Sequence, residues 1–469
     1  MSDTDLLLRD LLEMCSPEYN MPELSDRVLV FDVMQDGWET ASFPKDDSAI
    51  EENETKRSKQ KIKSPLQHND QEAPTGHRQN TETKQILESS ILEPLRQHKL
   101  HVHSFWLAIQ SAYFRSLFCS SGMKESREKE VHMKISESEE NAYLILLEAL
   151  YRNDVLNDKS VDELLGVIEL AHKYNLEFVF KQCKHLLQTS VTTFDVSTKV
   201  MDVIKVKHNM NDVEDVLSTL LPVLVEEFSP LDENWHSKKF TNLSEACLKY
   251  ILSSDDLVVQ SENTVFHALM YWMETNEVDP ARLESPEDLL AVVRFKLVTI
   301  DYLYNVIKNH PIATQMRNFS EYYHGGLTYH ALPPEQKKLF ESRPVPRKTT
   351  KGLIVQYKFV VTEEDYNTAL ANGSELNSGT FWACGYEISV GVNPSSNDYP
   401  YLIVYNLMKE SYVPLKFAFC KEAEGGISWK EKTFSMNSCR ENYRSNFQRS
   451  FFSNGCSVLY VAVGPAERR

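Results

Sequence analysis

The chain has 469 residues and a formal charge of −18, from 50 Lys and Arg against 68 Asp and Glu. That balance excludes a protein whose main work is neutralising phosphates along nucleic acid or an anionic membrane. With 42% hydrophobic residues the chain has material for about two to four cores rather than one. No apolar run reaches bilayer length, and the first residues are acidic where a secretory leader carries positive charge, so an intracellular protein, cytoplasmic or nuclear, is expected. Eight cysteines without a C-x-x-C pair point to free thiols in a reducing compartment.

Residues 5–14 form a short helix candidate with Leu7, Leu8, Leu11 and Leu12 on one stripe. It is too short to be stable alone and must pack on something. Residues 26–33, Asp-Arg-Val-Leu-Val-Phe-Asp-Val, read as a β-strand. From about 36 to 95 the text is polar and charged, which predicts a disordered insertion that cannot offset its ordering entropy. Its basic run at 56–63 reads as part of a solvated segment, with a nuclear import signal as the sharper alternative.

Order resumes at a short strand, 100–103, followed by one apolar helical stretch through Leu107 and Ile109 to Phe118. His101 and His103 form an H-x-H that a strand would turn to one face, a metal-binding spacing without an evident third ligand. Residues 131–135 alternate as a further strand, Ser136 is placed to cap the next helix, and helices follow at 161–169 and 176–187. Residues 192–323 carry helical stripes, with Ser261 as a cap. Prolines and charges mark 326–350 as a linker, and residues 351–469 hold strands separated by Gly, Asn, Ser and Pro. The expected organisation is therefore multidomain α+β: an α+β domain at 1–188, an all-α region at 189–325, the linker, and an all-β sandwich at 351–469. Neither a phosphate-cradling loop, a nucleophile elbow nor an H-E-x-x-H helix is present in the sequence, so no catalytic residue, cofactor site or metal site is assigned.

Residues 103–118, His-Ser-Phe-Trp-Leu-Ala-Ile-Gln-Ser-Ala-Tyr-Phe-Arg-Ser-Leu-Phe, with Gly122-Met123-Lys124-Glu125-Ser126 and the strand at 131–135, resemble the core of the BTB/POZ domain. Residues 257–266 with Trp272 and Val293-Arg294-Phe295 resemble the BACK domain that often follows it. The last third, with Trp382, Tyr386 and residues 399–402, is faintly similar to the MATH/TRAF sandwich, and it lacks the repeat pattern of kelch blades.

The resemblance implies a dimer, formed through the leading helix with Leu7, Leu8, Leu11 and Leu12 and with Asp26 before the first strand. It also implies a non-enzymatic adaptor that joins a substrate protein, held by the C-terminal domain, to a cullin-3 RING ubiquitin ligase. Such adaptors carry a hydrophobic-x-Glu motif in the loop before the third strand, and Met123-Lys124-Glu125 matches it. Met123 and Glu125 are thus the implied cullin-3 contacts, with Phe118 and Tyr151 as further candidates that compete with a core role. Methionine suits such an anchor because it is flexible and polarisable. Ser104 stands where many members have a basic residue, which weakens a corepressor reading. The alternative is a BTB-mediated scaffold or transcriptional regulator that does not engage cullin; no Cys/His array exists to read DNA.

Overall fold

The structure is a computed structural model and describes residues 19–38, 93–120, 124–152, 154–279, 289–339, 344–349, 355–395, 400–405, 413–423, 426–427, 434–436, 440–442 and 456–465. The leading leucine helix, most of the polar insertion, its basic run and Met123 lie outside these residues. The chain divides into two compact units, Met1–Ser190 and Val191–Arg469.

In the first unit β1 (Arg27–Met34) is the middle of a three-stranded sheet, antiparallel to β2 (Arg96–Val102) and parallel to β3 (Glu130–Ser136). Every residue of β1 after Arg27 is buried, as a strand covered on both faces requires. The polar exception, Asp32, is held from both sides: Gln97 Nε2 donates to it at 2.6 Å from β2, and His132 Nδ1 lies 2.9 Å away on β3. A buried carboxylate with no such partners would be costly.

The single helical stretch expected before Phe118 is two helices, α1 (Ser104–Gln110) and α2 (Ala112–Cys119). Ser111 breaks them with extended backbone, φ −142° and ψ 130°, and its Oγ accepts from the Tyr113 and Phe114 N–H groups. Serine competes with the helix through such local bonds, so apolar periodicity alone runs across the break. Ser136 precedes a 3₁₀ turn, Glu137–Glu139, and makes no side-chain cap bond, contrary to expectation. The turn is held instead by Asp36, which accepts from the Ser138 N–H and hydroxyl. Helices α3 (Glu140–Ala149), α4 (Val161–Lys173) and α5 (Glu177–Ser190) complete the unit, α4 starting at a reciprocal Ser160–Glu163 capping box.

The second unit opens with α6 (Phe194–Met201), a π-helical turn Asp202–Lys207, α7 (Glu214–Glu227), α8 (Leu231–Asn234), α9 (Lys238–Thr241) and α10 (Glu245–Ser253). Then come α11 (Glu262–Thr275), α12 (Ile300–Asn305), α13 (Phe319–Ala331) and α14 (Pro334–Leu339). Helix α11 is almost wholly buried and begins at Ser261, whose side chain accepts from the Asn263 N–H. Helices α13 and α14 extend into the stretch expected to be linker.

Two five-stranded antiparallel sheets follow. One orders β10 (Gly426–Ile427), β9 (Val413–Ala423), β13 (Cys456–Pro465) and β4 (Val355–Thr362), with β11 (Phe434–Met436) on β9. The other orders β12 (Arg440–Asn442), β8 (Pro400–Val404), β7 (Tyr386–Val392) and β5 (Leu376–Asn377), with β6 (Phe381–Ala383) on β7. Tyr357 of β4 stacks on Phe381 of β6, ring centroids 4.3 Å apart. A helix the sequence reading missed, α15 (Glu363–Asn372), separates β4 from β5. Its signals were local: Thr362 caps it by accepting from the Asp365 N–H, and Gly373 closes it at φ +63°.

The β6–β7 hairpin is docked on the helices. Its turn residues Cys384 and Gly385 both have positive φ, 50° and 78°, as a type I′ hairpin requires. A Cβ on Gly385 would lie 2.8 Å from the Asn263 carbonyl oxygen at the start of α11. Around the tip, Cys384 Sγ lies 3.4 Å from Gln260 Oε1, and Tyr386 meets Tyr302 edge-on at 5.2 Å.

Candidate partner-binding surface

The loop from α2 to β3 is fixed at its described end by backbone geometry. The Arg127 N–H donates to the Lys124 carbonyl at 3.1 Å, and Lys124 Nζ pairs with Glu128 at 3.2 Å. Arg27 at the start of β1 donates to the Ser126 carbonyl at 2.8 Å, and the Val28 N–H to that of Lys129 at 2.9 Å. The parallel β1–β3 pairing thus sets where Lys124 and Glu125 stand. Lys124 is exposed and Glu125 half-buried.

Phe118 and Tyr151 are placed inside the domain. Phe118 is 5% exposed and stacks on Phe114 at 6.0 Å. Tyr151 is 1% exposed; its hydroxyl accepts from the His103 N–H at 3.0 Å and its ring packs against Tyr19 and Trp106. Both fill the core that closes α1 and α2 onto α3, the competing role the sequence left open. On α2 the exposed aromatic is Tyr113, at 40%, which sequence reasoning did not single out. Its ring leans on Tyr174 at 4.7 Å. Burial, and then the nearby Glu125 carboxylate, raise its phenol above the ordinary value.

Asp26 locks the start of α1. It accepts from the Ser104 N–H at 2.7 Å and from the Ser104 hydroxyl at 2.5 Å. Burial works to raise this carboxyl, but the two Ser104 bonds, together with its own backbone N–H and the Arg27 charge, hold it below the ordinary carboxylate value. Phe105 and Ile109, one turn apart on α1, are 76% and 48% exposed. The H-x-H pair does not share a strand face: β2 ends at Val102, and His103 caps α1. His101 Nδ1 lies 3.3 Å from Ser25 Oγ, and His103 Nδ1 3.3 Å from Tyr151 Oη. Among the described residues no group of three or more His, Cys, Asp or Glu is arranged to hold a metal ion, and no helix is long and apolar enough to cross a membrane.

Residues 91–191 match the family model for the BTB/POZ domain, and residues 206–308 match that for BACK, "BTB And C-terminal Kelch". The chain contains a BTB/POZ domain and a BACK domain. Kelch-like protein 7 of Rattus norvegicus is 26% identical over 299 residues, 64% of this chain and 46% of that protein. A BTB/POZ domain-containing protein of Arabidopsis thaliana is 29% identical over 215 residues, 45% of this chain and 40% of its own length. Kelch-like protein 3 of Danio rerio is 25% identical over 251 residues, 53% and 39% respectively. The chain thus spans less than half the length of the curated relatives it matches. The BTB match covers β2 and β3 with α1 to α5, and within the second unit the BACK match runs from the end of the π-helical turn to just past α12.

Proposed function

We propose that the chain is a non-enzymatic substrate adaptor of a cullin-3 RING ubiquitin ligase. The BTB domain docks cullin-3 through the Met123-Lys124-Glu125 loop, the BACK helices extend from that contact, and the C-terminal β region holds a substrate protein. The observation that carries this reading is a BTB domain followed by a BACK domain. Ubiquitin transfer takes place on other subunits, and the site of action is intracellular.

Self-association accompanies this role. The exposed pair Phe105 and Ile109 on α1 supports an apolar face for a second copy, with Asp26 fixing the helix that carries it. A dimer presents two substrate sites, and linked engagement strengthens weak binding. Leu7, Leu8, Leu11 and Leu12 are proposed to contribute the remainder of that face.

The test is binding of the purified full chain to the N-terminal region of cullin-3, repeated with Met123→Ala combined with Glu125→Ala. Loss of binding with the dimer intact, by light scattering, is the expected outcome. Full retention by the double variant would overturn the loop assignment. Absence of binding by the parent chain would favour the scaffold or regulator that does not use cullin.

A further inference from the structure

A pocket of about 530 Å³ opens between the BACK helices and the β6–β7 hairpin. Trp235, His267, Tyr271, Tyr302 and Trp382 give it aromatic walls, and Glu274 is the one acidic residue on its lining among the described residues. The walls are mutually braced. His267 stacks on Trp382 at 3.7 Å and 19°, while Trp235 meets His267, Tyr271 and Trp382 edge-on at 4.4, 4.9 and 6.0 Å. Trp382 reaches the helices only because the tight turn after it seats Gly385 against Asn263.

The electrostatics of this lining have one sign. Aromatic faces carry negative potential, and Glu274, exposed at the pocket, adds a carboxylate. The two lining imidazoles do not offset it. Burial, with His310 adding to it, pulls His267 down to about 3, and burial pulls His310 down to about 4, so both are neutral at physiological pH. Asn305 and Asn309 add uncharged amides to the same lining. Among the described residues no Lys or Arg lines the pocket, so an anionic ligand would meet repulsion from these groups.

We infer that this pocket receives a lysine side chain of a partner polypeptide, its ammonium free or N-methylated, with the aliphatic stem against the tryptophans and the cation toward Glu274. This gives the substrate of the proposed adaptor a chemistry and rests on that reading for its biological setting. The contact is between the helices and the hairpin, away from the BTB loop in sequence, so it can be measured without cullin-3.

The experiment titrates the full chain with pentapeptides of flanking glycine and serine whose central residue is lysine, trimethyllysine or the uncharged isostere norleucine, followed by tryptophan fluorescence and calorimetry. Either cationic peptide is expected to bind about five-fold or more tighter than norleucine. Glu274→Gln, at an exposed position, is expected to weaken the cationic peptides about three- to ten-fold while leaving the thermal midpoint and norleucine binding unchanged. Trp382→Leu is expected to weaken all three. Equal binding of norleucine and lysine, no binding of any peptide, or unchanged cation affinity in Glu274→Gln would each overturn the inference. Cullin-3 binding by the same preparations separates that failure from failure of the adaptor reading.

Discussion

Arg347 and Glu262 form a buried ion pair, Nε to Oε1 2.8 Å, with side chains 1% and 5% exposed. The two remaining guanidinium nitrogens donate to the Ser254 and Val292 carbonyls, both at 2.7 Å. Burial pulls the guanidinium below its ordinary value and Glu262 opposes that shift. Around this pair, residues 344–349 are strapped to the BACK domain: Val259 N–H donates to the Lys348 carbonyl, Lys348 N–H to that of Asp255, and Arg294 reaches the Val345 carbonyl. The proline-rich stretch expected to be a linker is bound at this point, just before β4.

Arg347→Ala should therefore destabilise the second unit by up to about 3–5 kcal/mol, because buried Glu262 keeps only the Arg294 N–H at 3.2 Å and the more distant Arg294 guanidinium at 4.0 Å. Adding Glu262→Gln should recover part of that loss. Urea unfolding of the parent and the two variants checks this; Arg347→Ala within about 0.5 kcal/mol of the parent would show that the strap does not hold in solution.

The buried and surface members of the proposed cullin-3 contact set should separate cleanly. Phe118→Ala should cost about 3–5 kcal/mol by opening a cavity beside Phe114, with any loss of cullin-3 binding following unfolding. Glu125→Ala should leave stability within about 0.5 kcal/mol and still weaken cullin-3 binding. Thermal denaturation run beside a binding assay distinguishes the two.

In the β region, Gly391 lies directly opposite Tyr401 on β8, and a Cβ there would sit 2.2 Å from the tyrosine ring. Tyr401 is also held by hydroxyl bonds to Glu375 at 2.7 Å and Asn377 at 3.1 Å, so its ring cannot yield freely. Gly391→Ala should cost about 1–3 kcal/mol. In a Tyr401→Ala background, where the ring is gone, the added methyl should cost much less, which unfolding midpoints of the four proteins would reveal.

His267 and His310 also predict an acid response. Their folded values of about 3 and about 4 lie below the ordinary histidine value of about 6.5, so between these limits the unfolded chain binds protons that the folded chain does not. Their contribution is complete above about pH 6.5 and is lost as pH falls, by up to about 1.4 kcal/mol per unit for each imidazole. Asp232, whose carboxyl burial raises despite bonds from the Gln260 N–H and Thr264 hydroxyl, has the opposite sign: its ionisation opposes folding as pH rises. His267→Gln should flatten the stability profile between pH 6.5 and 5. An unchanged slope would mean that this ring is protonated in the folded state.

The positions of β1, of β3 and of the capped helices at 161 and 262 were set by local chemistry: branched runs, alternation, and Ser with a following N–H acceptor need. The BTB and BACK residues were equally legible, because they are contiguous motifs. Periodicity, however, defines a stripe without saying what covers it. It ran through Ser111, where a hydroxyl competes for the backbone, and it could not rank Phe118, Tyr151 and Tyr113 by exposure, since neighbours distant in sequence decide that. The same limit applies to the pocket, whose walls come from residues 235, 267, 271, 302 and 382, and to Arg347, whose charge suggested solvent until the fold placed Glu262 against it. Sequence determined which segments form elements because that depends on near neighbours; tertiary structure alone decided which charges are buried and which aromatics meet, because those depend on chain closure over long separations.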